Sequence, residues 1–255
     1  MNIVRFTRAV IKLVVSLLIG FCGFAFAYTP STFDSLLRTY VTDDGFVDYD
    51  AWSNNADDLA RLQGFVDELA VYDPSELSGN EQLAFWINAY NALAVHEVLQ
   101  RYPVDSIRPT FLGIPERSFF VESKHTVGGE DYNLDQIENE ELRTLGEPRI
   151  HFAINCASQS CPVLRDEAYS ASVLDRQLDE QARLFVNDPA RNQYNVENNE
   201  AMLSKIFDWF EGDFDEVGGV ATYLTQFAEG DALTVLQNDP EIDYLTYDWG
   251  LNRAN

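Results

Sequence analysis

His151, Cys156 and Cys161 lie together in RIHFAINCASQSCPVL, residues 149–164, and apart from Cys22 near the N-terminus these are the only thiols of the chain. Three chemistries are open to such a set. The four residues between Cys156 and Cys161 can turn tightly enough to close a disulfide, which would pin the turn and leave it inert. Cys156 could instead act as a nucleophile, with His151, His125 or His96 as its base and an Asn or Glu orienting the imidazole. A free thiol near its reference pKa of about 8.5 is only slightly ionised at neutral pH, and bringing it to about 6 takes roughly 3 kcal/mol of local stabilisation. In a chain of formal charge -25 that stabilisation must come from close by, from an imidazolium or a helix N-terminus. The third option is zinc held by His151, Cys156, Cys161 and Glu138, which has suitable ligand types but no CxxC pair.

The elements that position these groups follow from the flanking pattern. The apolar run over residues 150–154 predicts a short strand that presents the chemistry at its end. Alternation along that strand would put His151, Ala153 and Asn155 on one face and Phe152, Ile154 and Cys156 on the other. His151 then meets Cys156 only if the strand ends before Asn155. Cys161-Pro162 reads as the cap and first residue of a helix that starts within residues 157–163.

The support for this turn is a helix opened by a Ser78/Glu81 capping box and ended at Tyr102-Pro103. It is apolar on nearly every face, which predicts a place at the centre of the domain. Asn88 and Asn91, one turn apart, interrupt it. An unbonded buried amide costs about 1–3 kcal/mol, so each is expected to hold a loop against the helix or to orient a catalytic group or ligand. His96 and Glu97 fall near its exposed last turn.

Further helices are expected around residues 33–40 and over 57–72. A hairpin follows over 119–134, turned at Gly128-Gly129, with His125 on its solvent face. A short helix over 134–145 carries Glu138 and Arg143 and is closed by Gly146. An amphipathic helix over 172–186, a second hairpin around Asn198-Asn199, a short aromatic helix within 203–214, a helix over 220–228 and an extended tail over 241–252 complete the chain. The fold class is α+β, a helix-rich single domain with small antiparallel hairpins around a buried central helix.

The first 27 residues combine Arg5, Arg8 and Lys12 with an apolar run and the small-x-small step Ala25-Phe26-Ala27, the layout of a secretory signal peptide cleaved before Tyr28. The apolar run is shorter than the roughly 20 residues of a membrane span, and bulky Phe21 disfavours lipid modification of Cys22. Residues 28–255 are thus expected as one globular domain, periplasmic or secreted, without a stable membrane span. Loss of the three basic residues of the leader would deepen the formal charge from -25 to -28, which would repel nucleic acid and anionic membranes. No DxDxDG loop is present, and no metal or cofactor is expected.

EQLAFWINAYNALAVHEVL, GGEDYNLDQIENEELR, RIHFAINCASQSCPVL, LSKIFDWFEGDF and the terminal YDWGLN occur in this order. In them the chain resembles family 547 of the domains of unknown function, most strongly over about residues 78–215. The resemblance implies an exported, mostly bacterial protein of unestablished activity, and it marks Asn88, Tyr90, Asn91, Glu138, Arg143, His151, Cys156 and Cys161. The family often reads Ile-Glu-His where this chain has Ile137, Glu138 and Asn139, so a histidine of other members is replaced here by an amide.

The expectation from residues and resemblance together is a cysteine-dependent hydrolase or acyl-transfer enzyme for an amide or ester of the cell envelope. Cys156, His151, Asn91 and Glu138 would be catalytic, and Asn88, Tyr90, Arg143 and Cys161 would bind. The rival is a non-catalytic binding or scaffold module with a structural Cys156–Cys161 disulfide. In it Trp209, Phe210, Tyr244, Tyr247 and Trp249 would contact a peptide, glycan or small molecule.

Overall fold

The structure, a computed structural model, describes residues 28–108, 110–111, 114–115 and 119–254, so the expected signal peptide lies outside the described residues. Helices come first. α1 (Ser31–Tyr40) turns Phe33, Leu36, Leu37 and Tyr40 inward, α2 (Tyr49–Ser53) is capped by Asp48, and α3 (Ala56–Val71) is capped by Asn55, whose side chain accepts from the Asp58 N–H. α4 (Asn80–Arg101) is buried along almost its whole length, as its all-round apolar pattern predicts. Its start corrects the expected capping box: Gly79, at φ 54° and ψ -127°, takes the N-cap position without a side-chain bond, a backbone conformation open to glycine alone. A helix of this length is stabilised by the surface it buries, so a missing cap is a small loss.

β1 (Thr110–Phe111) and β2 (Ile114–Pro115) form a minimal antiparallel pair, and α5 (Phe119–Glu122) is a helical turn where the first hairpin strand was expected to begin. β3 (His125–Val127) and β4 (Glu130–Tyr132) then pair across Gly128-Gly129. His125 does not face solvent. The hairpin is tied to the end of α3, with the Gly128 and Gly129 N–H groups donating to the Leu69 and Ala70 carbonyls. This docking buries His125 3.7 Å from Glu97, itself buried rather than exposed and bonded to Ser123 and Arg101.

α6 (Leu134–Gln136), opened by an Asn133/Gln136 capping box, widens into a π turn over Ile137–Leu142 and ends through Arg143–Leu145 at left-handed Gly146. α7 (Ile150–Ala153) is one helical turn in place of the predicted strand. A short apolar run fits either period; here the neighbours choose, because Ile150 and Ala153 pack into one apolar cluster and Phe152 into another. α8 (Leu174–Val186) buries its apolar stripe. β5 (Gln193–Asn195) and β6 (Glu200–Leu203) are the second hairpin, followed by α9 (Ile206–Trp209), α10 (Glu211–Asp215), α11 (Val220–Leu224), shorter than predicted, and α12 (Gly230–Leu236). β7 (Glu241–Tyr244) returns to pair in parallel with β6.

One apolar cluster surrounds α4, and the second is built from α8, β6 and the helices that follow it. α7 belongs to both, so His151 stands at their seam. The architecture is α+β and helix-rich, and no helix among the described residues is long and apolar enough to cross a membrane.

Candidate functional site

Asn91 accounts for the end of α7. Its Nδ2 donates to the Ala153 carbonyl at 3.0 Å and its Oδ1 accepts from the Asn155 N–H at 2.8 Å. The side-chain amide thus serves the backbone as a neighbouring strand would, where both peptide groups are cut off from water. Asn88, one turn earlier, repeats the arrangement on a second loop, accepting from the Tyr169 N–H and donating to the Tyr169 carbonyl, both at 2.8 Å. Both amides are fully engaged with backbone and hold loops against α4.

Beyond Asn155 the chain folds back on itself. Asn155 Oδ1 accepts from the Ala157 N–H at 2.7 Å, its Nδ2 donates to the Pro162 carbonyl at 2.6 Å, and Ala157 takes a left-handed φ of 60°. The C-terminal segment bolts the loop in place, with the Gln159 N–H on the Gly250 carbonyl at 2.7 Å and the Asn252 N–H on the Ala157 carbonyl at 3.0 Å. No helix starts within residues 157–163, correcting the expected cap at Cys161. The backbone hydrogen bonds of the loop go to Asn155 and the C-terminal segment instead. Cys156 and Cys161 are joined by a disulfide, with their Cα atoms 6.1 Å apart.

This cystine lies on a pocket of about 220 Å³. Phe120, Trp209, Phe210, Tyr247 and Trp249 form its aromatic wall, and Tyr90, Glu138 and His151 supply its polar side chains. Tyr90, Glu138, His151, Cys156 and Cys161, singled out in the sequence, therefore meet at one cavity. Asn88, Asn91 and Arg143 do not line it. Trp209, Tyr247 and Trp249 pack on one another with centroids 4.5–5.5 Å apart, and Trp209 remains 44% exposed at the rim. Tyr244 stands apart from the pocket, with the Lys205 ammonium over its ring.

The imidazole is fixed by a residue that motif reading passed over. His151 Nε2 lies 2.7 Å from Asp213 Oδ2, and Arg143 grips the same carboxylate with two bonds of 2.6 and 2.7 Å. The guanidinium, followed by the imidazole, holds Asp213 well below the usual carboxylate range. Asp213 can then only accept, so His151 Nε2 carries the proton and Nδ1 keeps its lone pair. Nδ1 is buried without a hydrogen-bond partner, 4.0 Å from Glu138 Oε1. Burial pushes the His151 pKa down, against the pull of Asp213, so the ring is neutral at pH 7. Phe210 stacks on it at 4.1 Å. Asn139 accepts from Arg143 at 2.7 Å and so braces the residue that grips Asp213.

Glu138 sits in the π turn with Tyr90 Oη 3.5 Å from its Oε2. Burial, with repulsion from Asp135 next, pushes its carboxyl up to about 7. A proton held more tightly in the folded than in the unfolded chain stabilises at low pH, and that stabilisation disappears as pH rises from the ordinary 4.5 through about 7. Glu138→Gln is therefore expected to match the wild type near pH 4.5 and to exceed it by about 1–3 kcal/mol above pH 8 in urea unfolding. A difference that stays constant with pH would show a freely ionising carboxyl.

Asp213 was missed because nothing local distinguishes it among 42 acidic residues. Its only signal was its place in the LSKIFDWFEGDF block. Among the described residues no cluster of His, Cys, Asp and Glu is arranged to hold a metal ion, and with the two sulfurs bonded to each other the zinc set is not formed. Residues 74–186 match a family model described as protein of unknown function, DUF547. No curated protein and no solved structure matches the chain.

Proposed function

We propose, for a chain that belongs to the DUF547 family through residues 74–186, that this pocket is the working centre of an exported, periplasmic or secreted, hydrolase or acyl transferase. Its substrate would be a small amide or ester of the cell envelope, and reduced Cys156 its nucleophile. The observation that carries this reading is His151 Nδ1, a buried, unpartnered base nitrogen on a ring that shares the pocket with Cys156 and Glu138. An unpaired atom of this kind costs about 1–3 kcal/mol, which is understandable where a proton is to be received. In the cycle, His151 Nδ1 takes the thiol proton, Asp213 stabilises the resulting imidazolium through Nε2, and the Cys156 thiolate attacks the carbonyl carbon. Glu138, half protonated near neutrality, protonates the leaving group, and water then releases the acyl group from sulfur. The aromatic wall takes the apolar part of the substrate.

The test is ester turnover and labelling by a thiol-directed acylating probe, after mild reduction and with Cys156→Ala as reference. The wild type is expected to exceed the variant by about a thousandfold or more. Equal rates in the two proteins would end the proposal.

The Cys156–Cys161 disulfide favours a second reading, a binding module in which the cystine only stiffens the turn and the aromatic wall holds a peptide, glycan or small molecule. That reading predicts ligand affinity unchanged by reduction and no turnover.

A further inference from the structure

The cystine is surrounded by hydrogen-bond donors that treat its two sulfurs differently. Cys161 Sγ accepts from the Cys156 N–H at 2.9 Å and from the Tyr247 hydroxyl at 3.3 Å, and only 4% of the residue is exposed. Cys156 is the more exposed partner, and its Sγ lies 2.9 Å from Ser158 Oγ and 3.3 Å from the same Tyr247 hydroxyl. Both cysteines line the 220 Å³ pocket. In thiol–disulfide exchange the rate depends on which sulfur is reached and on how well the departing thiolate is stabilised. Here the more exposed cysteine is Cys156, and the departing thiolate would form on Cys161, where the Cys156 N–H already points and to which the Tyr247 hydroxyl, equally near both sulfurs and 2.9 Å from Ser158 Oγ, can turn. Hydrogen bonds to a charged acceptor are about twice as strong as those to a neutral one, so these donors stabilise the transition state more than the resting disulfide.

We propose that Cys156–Cys161 is an exchange-active disulfide that oxidises low-molecular-weight thiols admitted to the pocket. A thiolate RS⁻ attacks Cys156 Sγ, the S–S bond breaks, and its electron pair leaves with Cys161 as a thiolate, giving the mixed disulfide R–S–S–Cys156. A second RS⁻ attacks the sulfur of R in that adduct, forming R–S–S–R and freeing the Cys156 thiolate. Two thiols lose two electrons, and the protein disulfide gains them. The volume admits a small thiol. The inference rests on the pocket described above, and on no acyl chemistry. It also supplies the reduced Cys156 that the proposed hydrolase requires.

The experiment incubates the full native protein with 2-mercaptoethanol, quenches with acid, alkylates free thiols, and maps both cysteines by mass spectrometry over time. The expected first product carries the mercaptoethanol on Cys156 and the alkyl group on Cys161. Tyr247→Phe, which removes the side-chain donor able to turn to the departing sulfur, should slow its formation about ten- to a hundredfold, whereas Ser158→Ala, which leaves the Tyr247 hydroxyl able to donate to Cys161 Sγ, should slow it less than about threefold. A first adduct on Cys161, equal slowing by both variants, or exchange only at denaturant concentrations that unfold the chain would each overturn the proposal. Ester turnover by chemically reduced protein is a separate readout, so exchange can fail while the hydrolase reading stands, and the reverse.

Discussion

Replacing Asn91 by leucine is expected to destabilise the protein by about 3–5 kcal/mol and to abolish whatever the pocket does. The volume changes little, but the Ala153 carbonyl and the Asn155 N–H lose their shared partner inside the core. Each buried, unpaired backbone group costs about 1–3 kcal/mol. The Tyr169 hydroxyl, 3.5 Å from the Ala153 carbonyl, is too distant to compensate. The functional loss has a separate cause: His151 precedes this clamp and Cys156 follows it, so the clamp sets their relative position. Asn88→Leu is the informative companion, because it removes an equivalent pair of bonds from the Tyr169 loop. Urea unfolding should show similar losses for the two, while ligand binding or turnover under folding conditions should survive better in Asn88→Leu. A stability loss below about 1 kcal/mol for Asn91→Leu would mean that the C-terminal segment alone holds the turn.

Asp213→Asn is expected to lower acylation of reduced Cys156 by about a hundred- to ten-thousandfold, with a moderate loss of stability. The carboxylate accepts from His151 Nε2 and, through two bonds, from Arg143. An asparagine can turn its NH₂ toward Nε2, which moves the ring proton to Nδ1 and removes the base lone pair from the pocket. Arg143 meanwhile keeps one acceptor instead of two. NMR of the imidazole ring, reporting the tautomer as Nε2–H in the wild type and shifted toward Nδ1–H in the variant, checks the cause independently of any substrate. The pH dependence has a definite sign. A carboxylate held below its ordinary range contributes stability that is fully present above that range and is lost as pH falls below it, through the lowered value. The stability gap between wild type and Asp213→Asn should therefore close in acid. Wild-type acylation by the variant would exclude Asp213 as the residue that positions His151.

Whatever depends on neighbours within about four residues could be read from the chain directly. The all-round apolar face of α4, the Asn91 and Asn88 pair one turn apart, the Gly128-Gly129 reversal and the left-handed Gly146 stop are local, and the structure contains each of them. The resemblance further grouped Tyr90, Glu138, His151 and the two cysteines, residues that do share a cavity. What could not be read were choices made by distant partners. Residues 150–154 are apolar without a decisive period, and a helical turn is what lets Ile150, Ala153 and Ile154 enter one apolar cluster and Phe152 the other. His125 looked like a solvent-facing strand residue until α3 and α4 covered it.

The amino-acid sequence alone thus determined a helix-rich α+β chain with an amide-bearing central helix and a cysteine turn, because hydrophobic periodicity, glycine conformation and capping act over a few residues. Only the tertiary structure decided how that turn works. Asp213 reaches His151 across 62 positions and Tyr247 reaches the two sulfurs across 86 and 91. The His151 tautomer, the raised Glu138 pKa and the unequal surroundings of the two sulfurs arise from burial and from donors brought in by folding, and no stretch of local sequence carries them.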